Sequence, residues 1–488
     1  VSVDCGRAST ILRAALLGLP LWWAAATADA VDIFRTDLAV PPVIAGAMLE
    51  SEGRHDICVF GAVGKPLSLN EAIERALCNN PKTREAWATI KIQTAGVGVA
   101  KAAYLPTLSG SWQDIRENTA TNIAGFPALS SKQRESVRSE SVSLSWVLYD
   151  FGARSAALDN AAALLAAAQA NHDGALQLTF MNAAKDFYAA QAAFGALVAN
   201  HDIERAALDS FKAASGRVDK GVAPITDQLQ AQTVYAQAVF SRTKAEGDWQ
   251  VALGTLMSDL DLDPNLPISL PDVNEGVVTS AAFTQSLDEL IADAKQTHPS
   301  VRAAQAQLDA ALAKVTQLAA AGLPTVSLTG KYSWNNQLVS PSLGEAGLPA
   351  TASDKYIGVQ VTVPIFEGFS RTYQVRQAEA QAELARATLD EARQKVGLDV
   401  WSSDHALRTA TENIANSATL LEIAQRSYDA SLHRYLAGVG NILELLTAQS
   451  ALASAKKQRV QALTDWRTAR LQLAATLGRL GMGSIGQP

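Results

Sequence analysis

Four stretches of the chain alternate apolar and polar side chains with a period of two. After Pro106, Leu108, Gly110 and Trp112 alternate with Thr107, Ser109, Ser111 and Gln113. Val142, Leu144, Trp146 and Leu148 alternate with Ser141, Ser143 and Ser145. Val326, Leu328, Gly330, Tyr332 and Trp334 alternate with Thr325, Ser327, Thr329, Lys331 and Ser333. Ile357, Val359, Val361 and Val363 alternate with Gly358, Gln360 and Thr362. Each predicts a strand of about ten residues with one apolar and one polar face. The aromatics Trp112, Trp146, Tyr332, Trp334 and Tyr356 suit the two surfaces of a bilayer. Polar stretches at 118–132 and 337–352 divide each strand pair and suit an outer surface.

Elsewhere the texture is alanine-rich and helical. A helix is expected over 69–104, capped by Ser68, and again over 287–323, capped by Ser286. After each strand pair comes a very long helix, about 153–215 and 371–436, then a last helix, about 226–260 and 442–480. At about 1.5 Å per residue the long helices would each approach 100 Å. Leu420, Ile423, Ser427, Ala430 and Arg434 follow a heptad-like spacing, which predicts coiled-coil packing.

These textures occur twice because the chain is internally duplicated. Asn80-Pro81 recurs as His298-Pro299, and Tyr104-Leu105-Pro106 as Gly322-Leu323-Pro324, both at an offset of 218. Leu148-Tyr149-Asp150 recurs as Ile365-Phe366-Glu367, and Arg217-Val-Asp-Lys-Gly221 as Arg434-Tyr-Leu-Ala-Gly438, both at 217. Trp249 recurs as Trp466. The expected organisation is an export signal over 1–30, an extension over 31–65, a first repeat over 66–262, a linker over 263–285, a second repeat over 286–481 and a tail over 482–488. Arg7 and Arg13, the apolar run 14–26 and the small-residue sites around Ala28 and Ala30 carry the signal reading.

Four strands cannot close a membrane barrel, for which about eight is the minimum. An open sheet in lipid leaves edge N–H and C=O groups unpaired, at several kcal/mol each. If these strands span a membrane, several copies must share one barrel; three would supply twelve strands. The net charge of −7 argues against nucleic acid as a partner. Cys58 and Cys78 could pair after export or remain thiols. His55, His172, His201, His298, His405 and His433 show no metal-ligand spacing and read as helix-surface residues. No nucleophile, phosphate-loop or dinucleotide motif is present, so no enzyme and no cofactor are expected.

Val363-Pro-Ile-Phe-Glu-Gly-Phe369, Arg434-Tyr-Leu-Ala-Gly438 and Ile442-Leu-Glu-Leu-Leu-Thr-Ala-Gln449, taken with the order of elements, resemble the TolC-like outer-membrane factor family over about 66–481. The resemblance implies a homotrimer in the outer membrane, with a twelve-strand β-barrel continued by a helical coiled-coil tunnel. It also implies docking to an inner-membrane ABC transporter through a periplasmic adaptor. Within the family the chain looks most like a member that exports an adenylate cyclase–haemolysin toxin, so an unfolded toxin polypeptide is the expected cargo. A multidrug-efflux duct is the nearest alternative. A soluble periplasmic coiled-coil adaptor is the alternative of another class, and it needs the strands to pack on a core.

The resemblance also locates a gate at the periplasmic tip, in the turns after Gly221 and Gly438. Glu444 stands where relatives carry a gate carboxylate; three copies would make a ring favouring cations. Gly440 stands where relatives carry a gate arginine, and Thr447 where many carry a second acid. Tyr435 and Asp227 match residues that hydrogen-bond in the closed state of relatives.

Overall fold

The computed structural model describes residues 32–42, 44, 58–273, 286–337 and 348–481. The expected signal at 1–30 and tail at 482–488 lie outside these, as do parts of the 31–65 and 263–285 segments. In chain order the elements are α1 (Leu69–Asn79), α2 (Pro81–Ala102), β1 (Thr107–Thr121), β2 (Ser131–Tyr149), α3 (Ala153–Asp219), α4 (Ile225–Asp259), α5 (Leu287–Thr297), α6 (Pro299–Ala320), β3 (Thr325–Asn335), β4 (Ala352–Thr362), α7 (Ser370–Leu436) and α8 (Ile442–Thr476). The second six repeat the first six in kind and order.

The single helix expected over 69–104 is two helices. Asn80 sits before Pro81 and is held extended, with φ −60° and ψ 131°, because the proline ring excludes the helical region for its predecessor. The Asn80 side chain then caps α2 by accepting from the Lys82 N–H at 2.9 Å. His298-Pro299 does the same in the second half, with His298 Nδ1 accepting from the Ser300 N–H at 3.2 Å. Ser286 and Glu289 close a reciprocal capping box on α5. The two long helices each have 67 residues. Both are laid along several shorter ones: α3 packs on α1, α2, α4, α6 and α8, and α7 on α5, α6 and α8.

Two apolar cores sit at the mid-length of the long helices, and the first of them joins the halves. Ile73, Leu77, Phe180, Phe187, Leu256 and Leu471 join α1, α3, α4 and α8. Leu290, Val301, Leu389, Val400 and Leu473 join α5, α6, α7 and α8. Cys58 and Cys78 form a disulfide that ties the extension to the first core. The extension also runs along α2 and α3, where Trp87 Nε1 donates to the Pro41 carbonyl, Gln169 Nε2 to Ala39 and His172 Nε2 to Ile44. His172 is therefore buried rather than on a helix surface, and burial lowers its pKa below the ordinary imidazole value.

The heptad seam differs from expectation by one position. Ser417, Leu421, Ala424, Tyr428, Ser431 and Tyr435 turn inward on α7, whereas Leu420, Ile423, Ser427, Ala430 and Arg434 are exposed. Both stripes have heptad spacing, and periodicity alone cannot say which one the chain covers itself. The exposed stripe, with Leu420 at 42% and Ile423 at 60% accessible, awaits another surface.

The strands form one antiparallel sheet in the order β1-β2-β3-β4, so β2–β3 pairing joins the halves and β1 and β4 are open edges. The registers stack Leu108, Leu144, Gly330 and Ile357 on one face, with Trp146, Leu328 and Val359 in the row below and Trp112, Glu140 and Trp334 two rows above. Leu108, Trp112, Ile357, Val359 and Val361 are largely exposed. No core lies against this face among the described residues, which removes the support for a soluble adaptor.

Two aromatic assignments change. Tyr356 pairs with Lys331 in the row of Ser143 and Ser109, so it belongs to the polar face, not the apolar one. A bulge between Val147 and Tyr149 puts Tyr149 opposite Val326 and leaves Leu148 out of register. The extra residue moves Tyr149 onto the apolar face, where its ring meets Phe151 edge-on at 4.7 Å. Tyr332, Trp334, Trp112 and Trp146 keep their expected face. The β1–β2 ladder also continues from Asp114 to Thr121 beyond the top of β3, so both strands exceed the expected length.

One polar pair near the first core has a pH consequence. Asp186 on α3 shares a hydrogen bond with Asp259, the last residue of α4; burial first, then Asp259, pushes the Asp186 carboxyl up to about 6. A folded-state value above the unfolded one stabilises the fold at low pH, and that contribution is lost as pH rises from about 4 through about 6. Asp186→Asn is expected to raise the melting temperature at pH 7.5 by a few degrees and to leave it unchanged at pH 4. Calorimetry in detergent at both pH values checks this; an equal shift at both would point to packing instead.

Candidate gate at the helical tip

Both tips are built alike. The last turn of α3 closes with the Gly221 N–H on the Val218 carbonyl and Val222 on Arg217, while that of α7 closes with Gly438 on Tyr435 and Val439 on Arg434. Gly221 and Gly438 have φ of 72° and 82°, the left-handed conformation that ends a helix and that side chains resist. Gly440 is glycine for a different reason. A Cβ there would lie 2.9 Å from the Tyr435 nitrogen and 3.0 Å from the Arg434 carbonyl carbon. An arginine at this position is thus excluded by the turn itself. Asn441 then caps α8, accepting from the Leu443 N–H at 3.0 Å.

Asp227 and Glu444 each occupy the third position of the helix that follows the turn. They are related by the duplication, at the offset of 217 that also relates Arg217 to Arg434. Each tip thus carries the same arginine–acid pair, and the two tips use it differently. In the second, Arg434 Nε lies 3.4 Å from Glu444 Oε1 and the pair closes its own hairpin. In the first, Arg217 leaves its own hairpin: its Nη1 donates to the Tyr435 carbonyl at 2.6 Å, and its guanidinium lies 4.8 Å over the Tyr435 ring. Val218 stands where the first half would need the equivalent of Tyr435, so only one tip has the phenol.

Tyr435 is the centre of this arrangement. It is 1% accessible and packs with Ala214, Ala231, Tyr428, Ile442 and Leu445, drawn from all four tip helices. The expected hydrogen bond from its hydroxyl to Asp227 is not formed; the hydroxyl is buried with no partner among the described residues. Burial pushes the phenol pKa upward, Arg217 opposes that and Asp227 adds to it. An unpartnered buried hydroxyl costs about 1–3 kcal/mol; the hydrogen bond that ties this residue to the first hairpin is the one its carbonyl accepts from Arg217. Arg217 was visible in the sequence only as a repeat marker. The offset of 217 between two arginine–acid pairs was the signal that could have singled it out.

Glu444 is exposed at the tip beside Arg434. The pair partly offsets the charge that three copies would gather at an axis. Glu444→Gln is expected to lower the cation preference of the reconstituted pore, and Arg434→Gln to raise it by exposing the carboxylate. Reversal potentials across asymmetric KCl measure both. Opposite signs are the prediction, and shifts in the same direction would refute it.

Comparison with known proteins agrees with this architecture. The outer membrane efflux protein family matches residues 72–260 and 290–479. Protein CyaE of Bordetella pertussis is 33% identical over 426 residues, covering 86% of each chain. The outer membrane efflux protein BepC of Brucella suis is 27% identical, covering 86% of this chain and 87% of its own. The crystal structure of the outer membrane protein VceC from Vibrio cholerae superposes with a TM-score of 0.71 at 18% identity, covering 84% of this chain and 96% of that one.

Proposed function

Since the chain belongs to the outer membrane efflux protein family, whose members are outer-membrane channels, we propose that three copies close a twelve-strand barrel and that the duct so formed passes an unfolded polypeptide out of the cell in type I secretion. The observation that carries this reading is the open sheet. β1 and β4 are edges with no partner strand in the chain, and lipid does not tolerate them unpaired. The exposed stripe with Leu420 and Ile423 on α7 supports contact with another copy along the tunnel as well. The polar face, with Ser109, Ser111, Ser141, Ser143 and Gln360, lines the barrel interior in this arrangement, and the apolar face meets lipid.

The duct supplies a path and no energy; an inner-membrane ABC transporter reached through a periplasmic adaptor supplies the drive. The tip hairpins α3–α4 and α7–α8 regulate passage by the contact of Arg217 with Tyr435. The likeness to CyaE supports a toxin of the adenylate cyclase–haemolysin kind as cargo. The likeness to BepC supports multidrug efflux as the second reading. Deleting the gene separates them. Loss of one large polypeptide from the culture medium with unchanged drug susceptibility is expected. Normal secretion with increased susceptibility would overturn secretion in favour of efflux. Cross-linking of the membrane fraction should give a trimer.

A further inference from the structure

The outward face of the β1–β2 hairpin changes character abruptly above the row of Trp112, Glu140 and Trp334. On that same face the next rows are Asp114 with Arg138, Arg116 with Ser136, Asn118 with Arg134, and Ala120 with Lys132. Asp114 is fully engaged: Arg138 lies 3.5 Å away and the Ser136 hydroxyl donates to it at 2.9 Å. Arg116, Lys132 and Arg134 are exposed and meet no acid among the described residues. Beyond Asp114 the outward face of the hairpin carries no acid; Glu117 and Glu135 lie opposite each other on the other face. Above the Asp114–Arg138 row charge is thus sorted across the ribbon, basic outward and acidic toward the barrel axis.

We propose that Arg116, Lys132 and Arg134 form a binding surface for the phosphate groups of outer-leaflet lipid headgroups. The inference rests on the reading of the apolar face as the lipid-facing one. Arg116, Arg134 and Lys132 stand four, six and eight residues above Trp112 on the ladder, about 14, 20 and 27 Å along the strand and nearer 10, 14 and 19 Å along the normal of a tilted barrel. Headgroups occupy roughly the 5–8 Å outside the hydrocarbon; Arg116 and Arg134 can lower their heads toward that layer, and Lys132 stands above it and adds charge from the outer side. Each basic group near a charged surface strengthens attachment by about fivefold. Three unopposed cations beside a tryptophan row match a lipid that carries phosphate on its headgroup. A free anion would not need the tryptophans.

The test uses the full-length protein purified in dodecyl maltoside, with native mass spectrometry as the readout. The probes are lipid A bearing two phosphates, the same lipid with its phosphates removed enzymatically, and inorganic phosphate as a competitor. Wild type is expected to bind the phosphorylated lipid at least about tenfold more tightly than the dephosphorylated one. R116Q/K132Q/R134Q should lose that preference, and E117Q/E135Q on the inner face should keep it. Equal binding of the two lipids by wild type overturns the proposal, as does an undiminished preference in the triple variant. Displacement of the lipid by millimolar inorganic phosphate would reassign the patch to a free anion. If the triple variant fails to assemble, the wild-type comparison decides alone. A protein absent from the outer-membrane fraction would defeat the parent reading; one present there but indifferent to lipid phosphate defeats only this inference.

Discussion

Arg217→Ala is expected to raise the single-channel conductance of the reconstituted pore several-fold while leaving membrane insertion unchanged. Arg217 belongs to α3, yet its strongest contacts are with Tyr435 on α7. A hydrogen bond from a charged donor contributes about 1.5–3 kcal/mol, and a cation over an aromatic ring about 0.5–1 kcal/mol. Removing both takes roughly 2–4 kcal/mol from the attachment of one tip hairpin to the other in each chain. That moves an equilibrium between close and splayed tips by at least about thirtyfold. Tyr435→Phe is the contrasting case. It keeps the ring and the carbonyl that Arg217 uses and removes only a hydroxyl that has no partner, so conductance should stay near wild type. Planar-bilayer recordings of both variants decide. If Tyr435→Phe opens the pore and Arg217→Ala does not, the phenol is the restraint, and Arg217 is not.

Phe180→Ala is expected to lower stability by about 3–5 kcal/mol, the cost of emptying a large aromatic site in a core that cannot collapse around it. Phe180 is completely buried, and its cluster draws on α1, α3, α4 and α8 together with the disulfide-tethered Cys78. Because this is the place where the first half's short helices are fastened to its long one, the loss should be cooperative. Calorimetry should show a melting transition several degrees lower with the β-barrel signal intact until higher temperature. Phe240→Ala, on an exposed side of α4, should change little. Similar losses for the two would mean that the mid-length core is not the weak point.

The large-scale plan was legible because it is written in long-range repetition. Offsets of 217–218 survive without any knowledge of packing, and period-two alternation marks each strand. What was not legible depends on small local choices. The break before Pro81 needed the conformational rule for the preceding residue to outweigh the helical composition on both sides. Tyr356 looked like a surface aromatic until pairing with Lys331 put it on the polar face; an aromatic next to an alternating run can belong to either side. The bulge before Tyr149 reverses the facing of that last strand residue, and no composition reports an extra residue. At the tip, residue types named the right helices but the wrong bond. Whether Arg217 closes its own hairpin or crosses to Tyr435 depends on the angle between helices, which the chain's one-dimensional pattern does not encode.

The unequal ladders have a consequence for where the bilayer can sit. Up to the row of Gln113, Ser139 and Asn335, the second strand is paired on both sides. Above it, β2 keeps β1 but loses β3, apart from Asn336, which bonds the Arg138 backbone in both directions and reaches the Ser136 carbonyl. Peptide groups that have no partner there among the described residues are harmless in water and prohibitively expensive in hydrocarbon. The sheet therefore carries a built-in waterline, drawn by the pairing of the main chain and not by the tryptophans. Substituting the tryptophans could loosen the protein's grip on that level, but could not let it sink deeper.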